Sequence, residues 1–232
     1  MGRPGRTAAS NDRVKLYPRN EQRTVCMANR SGLRTPRRRS NLRTGPVGKA
    51  LRFALEAHTG QTRKDHRTEY IVHPVAVMRV LSSELGVTDP DILSAALLHD
   101  TLEDTPTTAG ELRARFGPRV ARWVEELTVP PRYHGPTVPD SVKAEVQVRA
   151  VGRISWSAVL IKLADLVDNL RDSANALWGP RKRRAYRDQA REVLTALAQR
   201  IQSDPPRLRL AGPLRGARRL VLRQLRMPAA EA

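Results

Sequence analysis

Two densely apolar segments constrain the fold of this chain more than any other feature. The first runs from Asp91 to His99 and the second from Ser157 to Leu170, and both place apolar residues at helical spacing. Helices that are apolar on most sides have to be buried among other helices. No segment has the apolar-polar alternation of a half-buried strand. The sequence therefore predicts an all-α fold, a compact multi-helix bundle.

Shorter patterns predict the helices around these two. Leu51, Ala54, Leu55 and His58 share one helical face that we expect to point toward the core. Pro74 and the Asp89-Pro90 pair are typical of helix starts, and Thr107 or Thr108 is expected to cap a further helix. The remaining predicted helices end near 116–118 or cover 120–127, 142–151 and 182–201.

Charge divides the chain into three parts. The chain has 42 Lys and Arg against 23 Asp and Glu, a net charge of +19. Residues 1–45 hold twelve of the basic residues against two acids, and residues 203–232 hold seven against two. We expect a disordered basic arm over 1–45, a folded domain over 46–202 and a disordered basic tail over 203–232. Such segments favour weak contact with nucleic acid, although solvated tails of no function have the same composition.

Cysteine content and hydropathy bear on the compartment. Cys26 is the single cysteine, so no internal disulfide forms, as is usual in a reducing cytosol. No apolar run approaches the roughly 18 residues of a membrane span, and the N-terminus lacks the apolar core of a secretory signal. We expect a cytoplasmic protein without a membrane contact.

Ionisable residues interrupt both apolar segments. His99 and Asp100 directly follow the first, and Asp165 lies within the second, where an unpaired carboxylate would cost several kcal/mol. His73 precedes Pro74 at a helix entrance. Two imidazoles and two carboxylates form a ligand set that favours Mn²⁺, Fe²⁺ or Zn²⁺ over Ca²⁺. Taken singly, each residue could equally be a capping or ion-paired group.

Two more acids follow the histidine-aspartate pair. Glu103 and Asp104 lie one helical turn beyond Asp100 and can face the same space. One carboxylate that accepts a proton and one that orients the nucleophile are what activation of a water molecule requires.

The ordered series of these residues resembles the HD phosphohydrolase superfamily. Neighbouring residues narrow the resemblance to the hydrolase domain of the RelA/SpoT-type alarmone enzymes, above all the small stand-alone alarmone hydrolases. The most specific motifs are His-Asp-x-x-Glu-Asp at 99–104 and Lys-Leu-Ala-Asp at 162–165. The matching segments occur in family order within about residues 47–200, at 57–64, 70–74, 95–105, 116–117, 124–128, 161–165 and 168–171.

The resemblance implies hydrolysis of the 3′-diphosphate of guanosine tetra- or pentaphosphate, (p)ppGpp, to GDP or GTP plus pyrophosphate, usually with Mn²⁺. Carried over by position, the metal ligands would be His73, His99, Asp100 and Asp165. Glu103 and Asp104 would activate and place the water. Arg63, Lys64 and Asn169 match family residues that contact the nucleotide. Residues 203–232 are too few to hold the synthetase domain of larger family members, so we expect no synthetase activity.

Two departures from the family pattern leave the substrate open. The loop at 65–69 lacks the family's glycine-containing turn, and Leu166-Val167-Asp168 replaces a usual basic residue after Asp165. One alternative is therefore a phosphohydrolase that acts on another phosphorylated nucleotide such as NADPH. Another is a nucleic-acid-binding protein whose helical core is a scaffold. Lys182 and Tyr186 fall where the small hydrolases touch substrate, in an uncertain register.

Overall fold

The computed structural model describes residues 45–63, 65–133, 137–175 and 179–226. The prediction of an all-α fold is confirmed. The helices are α1 Pro46–Ala57, α2 Val72–Arg79, α3 Pro90–Leu98, α4 Thr101–Asp104, α5 Ala109–Leu127, α6 Asp140–Ala150, α7 Trp156–Asn175, α8 Pro180–Ser203 and α9 Leu208–Arg226. A π-helical turn over Val80–Glu84 extends α2, and Pro131–Tyr133 forms a 3₁₀ turn. One isolated antiparallel bridge pairs Thr62 with Glu69.

The two apolar segments form the centre of the bundle. Helix α7 packs against α2, α3, α5, α8 and α9, and α3 packs against α1, α2 and α5. Their largest fully buried side chains are Leu97, Leu98, Leu160, Ile161, Leu163 and Leu166. Burying each stabilises the fold by about 1.5–3 kcal/mol relative to exposure. The predicted burial of these segments is confirmed, and it sets His99 and Asp165 in the interior.

Local signals in the sequence position the helix ends. The Asp89 carboxylate accepts a hydrogen bond of 3.0 Å from the backbone N–H of Asp91 at the start of α3. At the start of α5 the Thr108 hydroxyl accepts one of 3.2 Å from the Glu111 N–H. Gly117 has a φ of 87° and kinks α5 just before Pro118, where the sequence predicted a helix end. Capping by Asp89 fixes α3, and α3 in turn presents His99.

The core-facing side of α1 differs from the prediction. Its buried residues include Ala50, Phe53 and Ala54, whereas Leu55 is 49% exposed. Phe53 packs edge-to-face against Phe116 of α5 at a ring-centroid distance of 5.3 Å. Ala54 and His58 of the predicted face are buried and Leu51 packs against the core, so the prediction is wrong at Leu55 alone, and the buried face includes Ala50 and Phe53 instead.

The C-terminal segment also differs from the prediction of a disordered tail. Residues 208–226 form α9, which packs on α7 through Leu210, Leu214, Ala217 and Val221. These four recur at helical spacing, but the arginines between them obscure the pattern. The expected basic arm and the last residues lie outside the described part of the chain. None of the helices that are described combines the length and apolar character needed to span a membrane.

Candidate metal centre

Three buried side chains from three helices converge on one point. His73 comes from the first turn of α2, His99 follows α3, and Asp165 lies in the middle of α7. One ligand atom from each lies within 4.8 Å of the others. His73 Nε2 is 3.2 Å from Asp165 Oδ1, and His99 Nε2 is 4.0 Å from the same oxygen. Such a group is suited to hold a metal ion.

The fourth predicted ligand lies at the edge of this group. Asp100 Oδ2 is 3.1 Å from His99 Nε2 and 3.6 Å from His73 Nε2. The Tyr70 hydroxyl donates a hydrogen bond of 2.7 Å to the same oxygen. Asp100 therefore joins the cluster, although the mutually close set of atoms is that of His73, His99 and Asp165.

The orientation of His99 fits a bound cation. Its Nδ1 donates a hydrogen bond of 2.9 Å to the carbonyl of Ala96, so the lone pair of the neutral ring is on Nε2. Nε2 is buried and has no hydrogen-bond partner, despite its short distance to Asp100. A lone pair that faces carboxylates is repelled unless a proton or a metal ion lies between them. Burial disfavours the charged ring, but Asp100 outweighs it and raises the pKa of His99, so a bound metal ion would take the place of that proton. The donor set of two nitrogens and carboxylate oxygens suits Mn²⁺, Fe²⁺ or Zn²⁺.

Asp168 holds His73 from behind. Its Oδ2 accepts a hydrogen bond of 2.7 Å from His73 Nδ1, so Nε2 is aimed at Asp165. Burial disfavours the charged imidazole, but Asp165, Asp168 and Asp100 outweigh it and raise the pKa of His73 to about 9. A carboxylate in this position fixes the tautomer and ring orientation of a metal-binding histidine.

Two donors from α7 hold Asp165. Lys162 Nζ lies 2.9 Å from Asp165 Oδ2, and the Asn169 amide donates to Oδ1. Burial works against ionisation of Asp165, but Lys162 and His73 outweigh it and keep its pKa well below the usual range. Asn169, predicted to contact the nucleotide, thus bonds a metal-site carboxylate in this structure.

The two acids predicted to act on water lie beside the cluster. Glu103 Oε2 accepts a hydrogen bond of 3.1 Å from the backbone N–H of Val129, which fixes this carboxylate. Asp104 Oδ2 lies 3.1 Å from the Tyr70 hydroxyl. Burial and the negative charge of Asp100 raise the pKa of Asp104. Both acids therefore face the space next to Asp100, as their spacing predicted.

The predicted nucleotide-contacting residues are less uniformly placed. Arg63 Nη2 donates a hydrogen bond of 2.7 Å to Asp172 and lies 3.9 Å from Asp168 Oδ2, behind the metal cluster. Lys64 lies outside the described residues. Tyr186 lines the same cleft as the metal cluster, and Lys182 lines an adjoining one.

A cleft of about 450 Å³ opens onto the cluster. Besides the acids, its lining includes Lys143 and Gln147 of α6, Lys162 and Asn169 of α7, and Tyr186 of α8. An adjoining cavity of about 750 Å³ shares Lys143, Gln147 and Tyr186 with it. Lys143 and Lys162 line the cleft together with the acids of the cluster, and Lys182 lines the adjoining cavity, so cations lie near a space suited to a phosphorylated ligand beside a metal ion.

Comparison with known proteins establishes the family of this chain. The sequence matches the HD domain family over residues 50–202. This chain belongs to the HD domain family. The match confirms the HD-domain resemblance that was inferred from the His-Asp and Lys-Leu-Ala-Asp motifs.

The relatives of this HD domain include short and long proteins. It is 41% identical over 152 residues to a guanosine-3′,5′-bis(diphosphate) 3′-pyrophosphohydrolase of Xenopus tropicalis, MESH1, covering 64% of this chain and 82% of the relative. It is 37% identical over 159 residues to the Aquifex aeolicus protein of the same enzyme name, covering 67% of this chain and 21% of that protein. A solved structure described as a metazoan orthologue of SpoT that hydrolyses ppGpp superposes with a TM-score of 0.61 at 31% identity, covering 76% of this chain and 95% of that one.

Sequence reasoning missed three residues of the HD-domain site. Tyr70, Lys162 and Asp168 each bond a predicted ligand. A signal for two of them was present, because Lys162, Asp165 and Asp168 form a polar stripe at i, i+3 and i+6 along an otherwise apolar helix. Tyr70 carries no such signal, because its contact with Asp100 depends on how the loop before α2 folds back.

Proposed function

We propose that this protein hydrolyses the 3′-diphosphate of (p)ppGpp to GDP or GTP and pyrophosphate. The observation that carries the proposal is the buried group of His73, His99 and Asp165 next to Glu103 and Asp104. The enzyme names of the MESH1 relatives and of the Aquifex aeolicus protein support this substrate. Nothing in those names favours NADPH, the alternative substrate.

The metal ligands in this proposal are His73, His99, Asp100 and Asp165. A divalent ion, which we propose to be Mn²⁺, would lower the pKa of attacking water and offset charge on the diphosphate. Asp168 holds the His73 ring, and Lys162 holds the Asp165 carboxylate in its ionised form. The chain thus presents the ligands in one orientation before any ion binds.

Glu103 and Asp104 supply the acid-base chemistry. The water oxygen bonds to the phosphorus next to the ribose 3′ oxygen, and the bond between that phosphorus and the 3′ oxygen breaks. A carboxylate accepts the proton that the water loses, and a proton passes from a carboxylic acid of the site to the departing 3′ oxygen, which becomes a hydroxyl. Glu103 is assigned as the acceptor because the Val129 N–H holds it in place, while Tyr70 orients Asp104.

Cationic side chains bind the nucleotide in this proposal. Lys143 lines the cleft together with the acids, and charge-assisted hydrogen bonds to phosphate oxygens are its expected role. Arg63 and Lys64 are assigned to the nucleotide by their match to the family pattern. For Arg63 this contact requires exchange of its ion pair with Asp172. Asn169 and Tyr186, on the cleft wall, complete the proposed binding surface.

The test is pyrophosphate release from ppGpp, pppGpp and NADPH by Mn²⁺-loaded protein. We expect release from the two guanosine substrates, little reaction with NADPH, and loss of activity in Asp165→Asn. Metal binding measured on the same preparations separates the outcomes. No release from ppGpp by protein that has bound metal would contradict the substrate, and no metal binding would contradict the site.

The compartment and the basic segments complete the proposal. A single cysteine, Cys26, supports a reducing compartment, and we assign the protein to the cytoplasm. Weak nucleic-acid contact through the basic segments is also part of the proposal, because residues 1–45 and 203–232 hold most of the excess positive charge.

A further inference from the structure

Helix α9 separates its apolar and basic residues onto opposite faces. Its buried residues, Leu210, Leu214, Ala217 and Val221, fall within about 60° of the helix circumference at about 100° per residue. Four exposed arginines fall within about 80° on the other side by the same geometry. They are Arg215, Arg219, Arg223 and Arg226, and we call them the arginine face.

The arginine face is positive along its whole length. Residues 208–226 contain six arginines and no lysine, aspartate or glutamate. Among the described residues, no carboxylate forms a direct ion pair with an arginine of the face, and the nearest negative influence is Glu84, which is paired with Arg171 and whose pKa Arg223 helps to lower. Arg187 of α8 donates hydrogen bonds to the carbonyls of Gln224 and Leu225, so the end of α9 lies beside α8. Helix α8 begins with the basic run at 181–184, of which Lys182 lines the cavity beside the metal cleft.

We propose that the arginine face of α9 binds the phosphate backbone of a nucleic acid duplex. This inference rests on the proposed nucleic-acid contact of the basic segments and names its site and ligand, but it is independent of the hydrolase activity, because the face contributes no residue to the lining of the metal cleft. Arginine suits the role because its planar guanidinium binds phosphate oxygens in pairs.

The length and spacing of the arginine face match a phosphate array. From Arg215 to Arg226 the helix rises about 16 Å, and arginines four residues apart are separated by about 6 Å along the axis. A duplex carries about one charge per 1.7 Å of its axis, so about ten phosphates lie within that length. Only part of these phosphates face a helix that lies on one side of the duplex, but four arginines spaced along about 16 Å are fewer than the charges available, and no base sequence is required.

Two features exclude other classes of ligand. The apolar side of α9 is used for packing on α7, so the helix has no apolar face left to insert into a membrane. The helix contains no aromatic residue that could stack on the bases of a single strand. Both features favour contact with the backbone of a duplex, strong at low salt and without base preference, over membrane insertion or stacking on single-stranded bases.

The test compares two variants of the full-length protein that lose the same charge. In the first, Arg215, Arg219 and Arg223 are replaced by Gln. In the control, Gln replaces Arg113, Arg115 and Arg122, which are exposed on α5 and paired with glutamates. Binding to a labelled 20-bp DNA duplex of arbitrary sequence is measured by anisotropy from low to high salt.

We expect the first variant to bind more weakly and its slope of log K against log salt to become less steep by about 2.7, or about 0.9 for each phosphate that an arginine no longer neutralises. The control should keep a slope close to that of the unmodified protein, and both variants should keep hydrolase activity and thermal midpoint. Equal losses in the two variants, or no duplex binding at all, would overturn the proposal. So would competition by polyglutamate as strong as that by unlabelled duplex, because it would point to an acidic protein partner.

Discussion

Replacing Asp168 with Asn tests whether this side chain positions the metal-binding His73. The substitution keeps the shape of the acceptor but removes its charge from the 2.7 Å bond to His73 Nδ1. A hydrogen bond to a charged group contributes about 1.5–3 kcal/mol and one between neutral groups about 0.5–1.5 kcal/mol. The difference of about 1–1.5 kcal/mol corresponds to a roughly tenfold loss of metal affinity.

The size of this loss should depend on pH, because the metal competes with a proton. In the metal-free site the pKa of His73 is raised to about 9, in part by Asp168. Asp168→Asn therefore lowers that pKa and weakens proton competition, which offsets the weaker metal binding near pH 7. As the pH rises toward 9 the offset disappears, so we expect the difference in affinity to grow toward tenfold.

Calorimetric titration with Mn²⁺ at pH 7 and pH 9, without oxygen, measures both affinities. Asp172→Asn is the matched control, because Asp172 lies on the same helix as Asp168 but pairs with Arg63 and does not touch His73. Its metal affinity should be unchanged at both pH values. Equal affinities of Asp168→Asn and the unmodified protein at pH 9, or an equal loss in the control, would refute the positioning role.

Three further predictions concern the acids and the backbone. Glu103→Gln keeps the acceptor for the Val129 N–H but removes the proton acceptor, so kcat should fall by about 10²–10⁴ with an unchanged thermal midpoint. Gly117→Ala should lower the free energy of unfolding by about 1–3 kcal/mol, because its φ of 87° with a ψ of 165° is open essentially to glycine, whereas Gly110→Ala, within an ordinary helical turn, should not; urea titration compares them. Glu84→Gln removes an ion pair with Arg171 that lowers the pKa of Glu84. The ion pair stabilises the fold by less than about 1 kcal/mol. Because the pKa of Glu84 is lowered in the folded protein, this stabilisation is present above the ordinary pKa of glutamate and is lost as the pH falls through the lowered value. The thermal midpoints of the variant and the unmodified protein should therefore converge in acid.

The helices were predictable because their signals are local. Asp89 and Thr108 cap helices whose starts follow from a few adjacent residues, and Gly117 marks a break for the same reason. The predicted stripe of α1 was wrong at Leu55, since its exposure depends on how Phe53 meets Phe116 from another helix. Periodicity indicates that a face is buried, and only the neighbouring helix decides which one.

The ligands of the metal site were predictable, but the contacts that support them were not. The motifs around His99 and Asp165 identified these two residues as candidate ligands, and the structure brings both together with His73. The supporting contacts of Tyr70 and Asp168 were not predicted, because each joins segments about 30 or more residues apart. Their hydrogen bonds exist only after α2, α3 and α7 have packed.

The sequence by itself determined the all-α class, the apolar centre and the chemistry of the ligand set, because composition and spacing act within one helix. The tertiary structure alone decided that Asp168 faces His73 and that residues 208–226 fold onto α7. The C-terminal case shows the physical reason. A charged, arginine-rich segment becomes an ordered helix only when another helix covers its apolar side. Packing of that side on α7 places the arginines of α9 on the surface.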